Sequence, residues 1–295
     1  MDIKIALLKF CEYSTLIRGY SPDTILRYKT WVNYYCRTTN VSTFDQVSAE
    51  NVKTMLLNGR ILHKWQANTF IIVRMSLSVF FRWAVGQGYL AQSPIEDIEL
   101  PKKEKRLPSK LSKQDAFRLL EVVYNYPYKN QFQRYRNHAI FSMFLYAGLR
   151  KSELLNLKLT DVDVDNFTIF IHEGKGMKDR IIPMSFTLAE SLKRYLIERM
   201  RLNKTCPEFF TAFKRNSGFR AHGLKELVVK IRHVMGMKFT IHKLRHTFAT
   251  LMLEGGCDIY SLSKMMGHSD IKTTTIYLSA TVEHLRNQIT KHPLN

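Results

Sequence analysis

Four short stretches of this chain hold residues that could act on a phosphate or serve as a nucleophile. The first is Ala147-Gly148-Leu149-Arg150-Lys151-Ser152-Glu153, where the glycine closes one helix and Arg150 stands near the start of the next. The second is Gly174-Lys175-Gly176-Met177-Lys178-Asp179-Arg180. Its glycines suit a tight loop whose backbone approaches another closely, and Lys175 at such a tip can reach a phosphate. The third is His242-Lys243-Leu244-Arg245-His246. On a helix His242, Arg245 and His246 share one face, because residues three and four apart are neighbours. The fourth runs from Gly267-His268-Ser269-Asp270 to Thr273-Thr274-Thr275-Ile276-Tyr277. Each stretch alone has an ordinary explanation: a salt-bridged arginine, a solvated turn, a polar helix face, an amphipathic tyrosine at the surface. Zinc is a rival reading of the third, since His242 and His246 have the spacing of the His-Glu-x-x-His metal motif. Lys243 occupies the place where that motif needs glutamate, so no metal is expected.

These residues need a frame, and composition bounds it. At 295 residues the chain is long enough for two domains, and 45% hydrophobic with 24% charged residues is a globular balance. The net charge is +20 with a pI near 9.8, so the chain should meet a long anion, nucleic acid before a membrane surface. Residues 1–110 carry 16 basic against 9 acidic side chains, and residues 111–295 carry 29 against 16. Both halves are basic, which suits a footprint over two domains better than a basic tail. No run of about 18 uncharged apolar residues is present, and the start lacks the apolar core of a signal peptide. Cys11, Cys36, Cys206 and Cys257 form no Cys-x-x-Cys pair, which reads as buried free thiols in a reducing cytoplasm.

The first hundred residues read as a bundle of about four helices: one near Leu7, one over Thr24–Tyr35 after the Ser21-Pro22 start, one near Ala49–Leu57, and one over Asn68–Val85. Residues 101–110 read as a basic linker, either a solvated tether or a strap along DNA phosphates. The remainder, 111–295, mixes helices over Ser112–Tyr124, His138–Tyr146, Leu188–Met200, Leu224–Val234, His242–Leu253, Ile259–Met266 and near Thr281–Gln288 with strands over Val162–Val164, Thr168–His172 and Arg180–Pro183. The fold class is mainly α with a small antiparallel sheet.

Read in order, Arg150, Lys175, His242, Arg245, His268 and Tyr277 resemble the signature of the tyrosine recombinases, the phage integrase or Xer-like family. That signature is an arginine after Ala-Gly-Leu, a hairpin Gly-Lys-Gly, a helix His-x-Leu-Arg-His, then Gly-His and a tyrosine nine residues later; all six positions match. Ser21-Pro22-Asp23-Thr24 with Arg27-Tyr28 is a weaker match to the family's core-binding domain.

The resemblance implies a helical core-binding domain and a catalytic domain that clamp a duplex in a C shape. It implies four protomers acting on two DNA sites, with no cofactor and no membrane. Tyr277 would attack a phosphodiester, forming a 3′-phosphotyrosyl bond and releasing a 5′-hydroxyl, without metal or ATP. Arg150 and Arg245 would clamp the phosphate oxygens, since a guanidinium stays charged and donates two parallel hydrogen bonds. Lys175 would protonate the leaving oxygen. His242 would assist the tyrosine proton, and His268 would bond a phosphate oxygen or orient the site. The spacing of Glu153 from Arg150 suits a carboxylate that holds the guanidinium.

Two other readings stay open on the residues: relaxation of supercoils in the manner of a type IB topoisomerase, and DNA binding without catalysis. Within the recombinases, the core-binding helices begin close to Met1. That suits an Xer-like enzyme resolving chromosome or plasmid dimers, or a compact mobile-element integrase, working alone or with a paralogue or a DNA translocase.

Overall fold

Asp2 opens the first helix: its carboxylate accepts the backbone N–H groups of Lys4 and Ile5, which have no partner within the helix. The computed structural model describes residues 1–102, 109–172, 179–268 and 270–277. The chain divides into two compact units, Met1–Lys105 and Arg106–Asn295.

The first unit is four helices, α1 (Ile3–Leu16), α2 (Pro22–Thr39), α3 (Ala49–Ile61) and α4 (Ala67–Gly86). Ser21 caps α2 with Pro22 at its first turn, and Ser48 caps α3. The chain leaves α2 through Asn40 in the left-handed conformation. Phe10, Tyr28, Phe80 and Trp83 pack edge-on or tilted at the centre, around ring separations of 5.4 Å. By length and composition α4 could cross a membrane, but half of its most apolar window is buried inside the unit. Arg74, within it, donates to the Ile95, Glu96 and Ile98 carbonyls and ties down the chain that follows.

The second unit begins with α5 (Lys113–Asn125), α6 (Gln131–Tyr146) and α7 (Lys151–Asn156). Strands β1 (Val162–Asp163), β2 (Thr168–Ile171) and β3 (Arg180–Pro183) follow, then α8 (Phe186–Arg201), α9 (Ala221–Met235), α10 (Ile241–Glu254), α11 (Ile259–Met266) and α12 (Lys272–Thr275). The sheet is antiparallel in the order β1-β2-β3, with Ile169 opposite both Val162 and Ile182. Helix α6 is the hub: Ile140, Phe141, Met143 and Phe144 are fully buried in its second half.

The expected fold class holds, with corrections at element ends. Helix α6 starts seven residues before the expected His138, capped by Asn130. In its opening turns, Gln131–Asn137, Phe132 is the one fully buried apolar side chain. Arg136 and Asn137 are buried through polar groups: Arg136 donates to the Thr211 carbonyl and to Asn137 and lies 4.2 Å from the Phe219 ring centroid. Of the four cysteines, all free, only Cys11 is buried, and the others are half-buried. The short α12 and two 3₁₀ turns, Phe44–Gln46 and Leu159–Asp161, were not expected. The linker residues 103–108, the Gly174-Lys175-Gly176 tip and the helix near Thr281–Gln288 lie outside the described residues.

Between α6 and α7 the chain turns at Gly148 with φ of +62°, and a Cβ there would stand 2.2 Å from the Phe248 ring. Gly148→Ala is therefore expected to destabilise the protein by ~2–4 kcal/mol, from the left-handed backbone and the overpacking together. A thermal melt of the variant tests this, and an unchanged midpoint would contradict it.

Candidate active site

Arg150 is the N-cap of α7, and Glu153 in the first turn reaches back to it. One Glu153 oxygen accepts the Arg150 backbone N–H and the other its guanidinium, each at 2.6 Å. Glu153 also receives Arg180 from β3 at 2.9 Å, and Arg245 from α10 lies 3.9 Å away. Burial pushes the Glu153 carboxyl up, but the Arg180 bond and charge and the Arg150 N–H and charge outweigh it and hold it below the usual range.

The same three arginines meet a second set of acceptors. Helix α11 ends at Gly267 in the left-handed conformation, leaving its last carbonyls without partners inside the helix. Arg180 donates to Met265 at 2.8 Å, Arg245 to Met266 at 2.5 Å and Arg150 to Gly267 at 2.5 Å. Three cations thus converge on the negative end of a helix and on a single carboxylate. The cluster keeps excess positive charge, which disfavours one more charge at its most enclosed member. Burial, then the Arg150 charge, brings Arg245 down to about 10, so it stays a cation at neutral pH.

Arg245 also donates to the Gly148 carbonyl at 2.6 Å and lies 3.3 Å from His268 Nε2. An arginine can only donate, so Nε2 accepts, Nδ1 carries the proton, and it donates to Thr274 Oγ1 at 2.8 Å. Burial, then Arg245, Arg150 and Arg180, push His268 down to about 4, in keeping with that neutral tautomer. Arg150, Arg245, His268 and His242 line one cleft of about 870 Å³, with Lys225 and Arg232 of α9 on its wall. His242 is exposed there.

Tyr277 is 2% exposed and sits in a separate small core with Phe248, Ala249, Leu253, Leu262 and Met266. Its hydroxyl lies 2.7 Å from His246 Nδ1. His242, expected beside the tyrosine, instead meets His246 edge-on at 4.3 Å. Of the six expected residues, Arg150, Arg245 and His268 are brought into direct contact through shared partners, and His242 and Tyr277 flank them. Lys175 lies outside the described residues. Two further residues make contacts here: Arg180, which closes the Gly-Lys-Gly stretch, joins the arginine cluster, and His246, on the same helix face as His242 and Arg245, meets the Tyr277 hydroxyl.

The model of the phage integrase family matches residues 109–284. The chain belongs to the phage integrase family. It is 36% identical to tyrosine recombinase XerA of Pyrococcus horikoshii, over 98% of this chain and 93% of that one. It is 33% identical to XerA of Thermococcus onnurineus, over 93% and 92%. A crystal structure of XerA recombinase covers 98% of both chains at 27% identity and a TM-score of 0.55. XerH bound to a palindromic difH substrate covers 97% of this chain and 83% of its own at a TM-score of 0.74; at 22% identity it carries the fold alone. The chain is an enzyme of the tyrosine recombinase class.

The neutral histidines of this integrase-family protein give it a predictable response to acid. His138, His246 and His268 are each pushed down to about 4, chiefly by burial, from an ordinary value of 6.5. The unfolded chain therefore takes up protons that the folded one refuses. Stability is full above about pH 6.5 and falls as the pH drops toward 4. Glu153 acts in the same sense, since its depressed carboxyl loses its contribution as the pH falls through its folded value. The thermal midpoint is expected to fall steadily from pH 7 to pH 4.5, less steeply in His138→Gln. A flat profile would contradict the buried neutral histidines.

Proposed function

We propose that this protein is a site-specific recombinase of double-stranded DNA that cuts and rejoins strands through a 3′-phosphotyrosyl bond on Tyr277, without metal or ATP. The observation that carries the reading is the cluster of Arg150, Arg180 and Arg245 around a single carboxylate, with Arg150 and Arg245 lining a cleft that His242 and His268 share. Arg150 and Arg245 bind the non-bridging oxygens of the scissile phosphate and the negative charge that gathers there during attack. His268, protonated on Nδ1 and held by Thr274, orients Arg245 through Nε2. Tyr277 passes its proton on with the help of His242 and forms the new O–P bond as the bond from phosphorus to the 5′-oxygen breaks, and that oxygen leaves with a proton from Lys175. The bond energy stays in the phosphotyrosine, so a second 5′-hydroxyl can reverse the step on a different strand.

Residues 1–100 serve as the core-binding domain and 111–295 as the catalytic domain, with the basic linker 101–110 between them; the division of the chain into two compact units at Lys105 supports this. Both domains bind the duplex. Four copies act on two recombination sites in the cytoplasm. The role is Xer-like dimer resolution or integration and excision of a mobile element, alone or with a paralogue or translocase. The net charge of +20 supports the nucleic-acid partner.

The test is a nicked suicide duplex drawn from the source replicon, incubated with the full chain in EDTA and run on a denaturing gel. A covalent adduct whose modified peptide contains Tyr277 is the expected result. Tight DNA binding with no adduct on any duplex would move the reading to a non-catalytic regulator.

A further inference from the structure

Helix α10 carries two histidines one turn apart, and they have different surroundings. His242 opens onto the cleft with the arginines, while His246 is half-buried and faces the core that holds Tyr277. His246 Nδ1 is 2.7 Å from the Tyr277 hydroxyl, and the two rings lie 5.5 Å apart at 53°. The tyrosine ring is enclosed by Phe248, Leu253, Leu262 and Met266, and it is not among the residues that line the cleft. A phenol at 2% exposure cannot meet a DNA phosphate where it stands. A hydroxyl in such an apolar enclosure needs a partner, because an unpaired buried polar group is costly.

We propose that His246 is a positioning residue that holds the Tyr277 hydroxyl in a withdrawn resting place, and that the tyrosine must give up this hydrogen bond to attack DNA. The phenol donates and the neutral imidazole accepts on Nδ1, which puts the ring proton on Nε2. His242 packs against the His246 ring at 4.3 Å and 74°, so the acceptor is held by an edge-to-face contact as well as by its own helix. The attacking oxygen thereby keeps its proton and stays out of the cleft until DNA fills it. The proposal rests on Tyr277 being the nucleophile, as argued above.

The experiment uses the full chain as wild type, His246→Phe and His246→Asn. Phenylalanine fills the ring space without an acceptor, and asparagine restores a polar atom near the place of Nδ1. Nitration of Tyr277 by tetranitromethane in the free protein, mapped by peptide mass, reads its confinement. The rate in His246→Phe is expected to rise about fivefold, the value of one hydrogen bond, and to fall back toward wild type in His246→Asn. Single-turnover adduct formation on the nicked duplex in His246→Phe should stay within threefold of wild type or exceed it. Unchanged protection of Tyr277 in His246→Phe would overturn the proposal. So would a hundredfold loss of adduct in both variants, which would make His246 part of the chemical step. Should His246→Phe not fold, the ring ¹⁵N shifts of His246 in Tyr277→Phe decide. They are expected to move while those of His242 do not, and unmoved shifts would overturn the contact. If wild type forms no adduct at all, the recombinase reading fails, while nitration and the ¹⁵N shifts still report on the His246 contact.

Discussion

Tyr277→Phe is expected to form no covalent adduct with any nicked duplex while binding DNA as tightly as wild type. The phenylalanine ring fills the same space among Phe248, Ala249, Leu253, Leu262 and Met266, so the packing of this small core is kept. What is removed is one oxygen, the atom that the proposed mechanism joins to phosphorus. The arginine cluster, which the proposed function sets against the phosphate, is untouched. The loss should therefore be complete, below the detection limit of a denaturing gel on which wild type shows an adduct. The stability change should be small: His246 loses one hydrogen bond, worth ~1 kcal/mol. An adduct that persists in this variant would mean a different nucleophile. A large loss of DNA binding would mean that the hydroxyl serves recognition.

Arg245→Lys is expected to lower single-turnover adduct formation by at least ~100-fold, the usual cost of removing a positioned donor of transition-state charge. The charge is conserved, and what is lost is the fork. The Arg245 guanidinium spans the Gly148 carbonyl, the Met266 carbonyl and His268, groups that come from two distant parts of the chain, while it also lines the cleft. A lysine ammonium is a point donor on a flexible stem and cannot hold these acceptors and a phosphate together. Leaving one buried carbonyl without a partner costs ~1–3 kcal/mol, so the thermal midpoint should fall by several degrees while the fold survives. Circular dichroism at the assay temperature separates the two effects. A variant that is folded, binds DNA and cleaves within tenfold of wild type would remove Arg245 from the chemistry.

The two predictions differ in how far the sequence alone could have led to them. Tyr277 was legible as a candidate nucleophile only through its order behind Arg150, His242, Arg245 and His268, since no local property marks it. Arg245 was legible as a candidate phosphate clamp from residue type and helix position. Its grip on the Gly148 carbonyl, 97 residues away, was not. Helix starts were legible where a short polar side chain caps them, as at Ser21, Ser48 and Ser112. The opening of α6 was not, because Arg136 and Asn137 are buried by bonds to each other and to Thr211 and not by an apolar stripe.

His242 and His246 show the limit most clearly. Helical spacing puts both on one face with Arg245, and the family order assigns the tyrosine to the first. Which ring meets the hydroxyl depends on where the chain after α11 returns, and in the structure it returns to His246. Arg180 is similar: a basic residue at the start of a strand looks solvent-facing, yet it is buried between Glu153 and the end of α11. Residue types and spacings by themselves determined the helical class, the small sheet, the basic charge and the set of groups able to do phosphate chemistry, because these depend on neighbours within a turn or a strand. The tertiary structure alone decided that three arginines share one carboxylate and the carbonyls of one helix end, and that the tyrosine is withdrawn against His246. Those contacts join positions as far as 117 residues apart, and hydrophobic period and capping carry no information at that range.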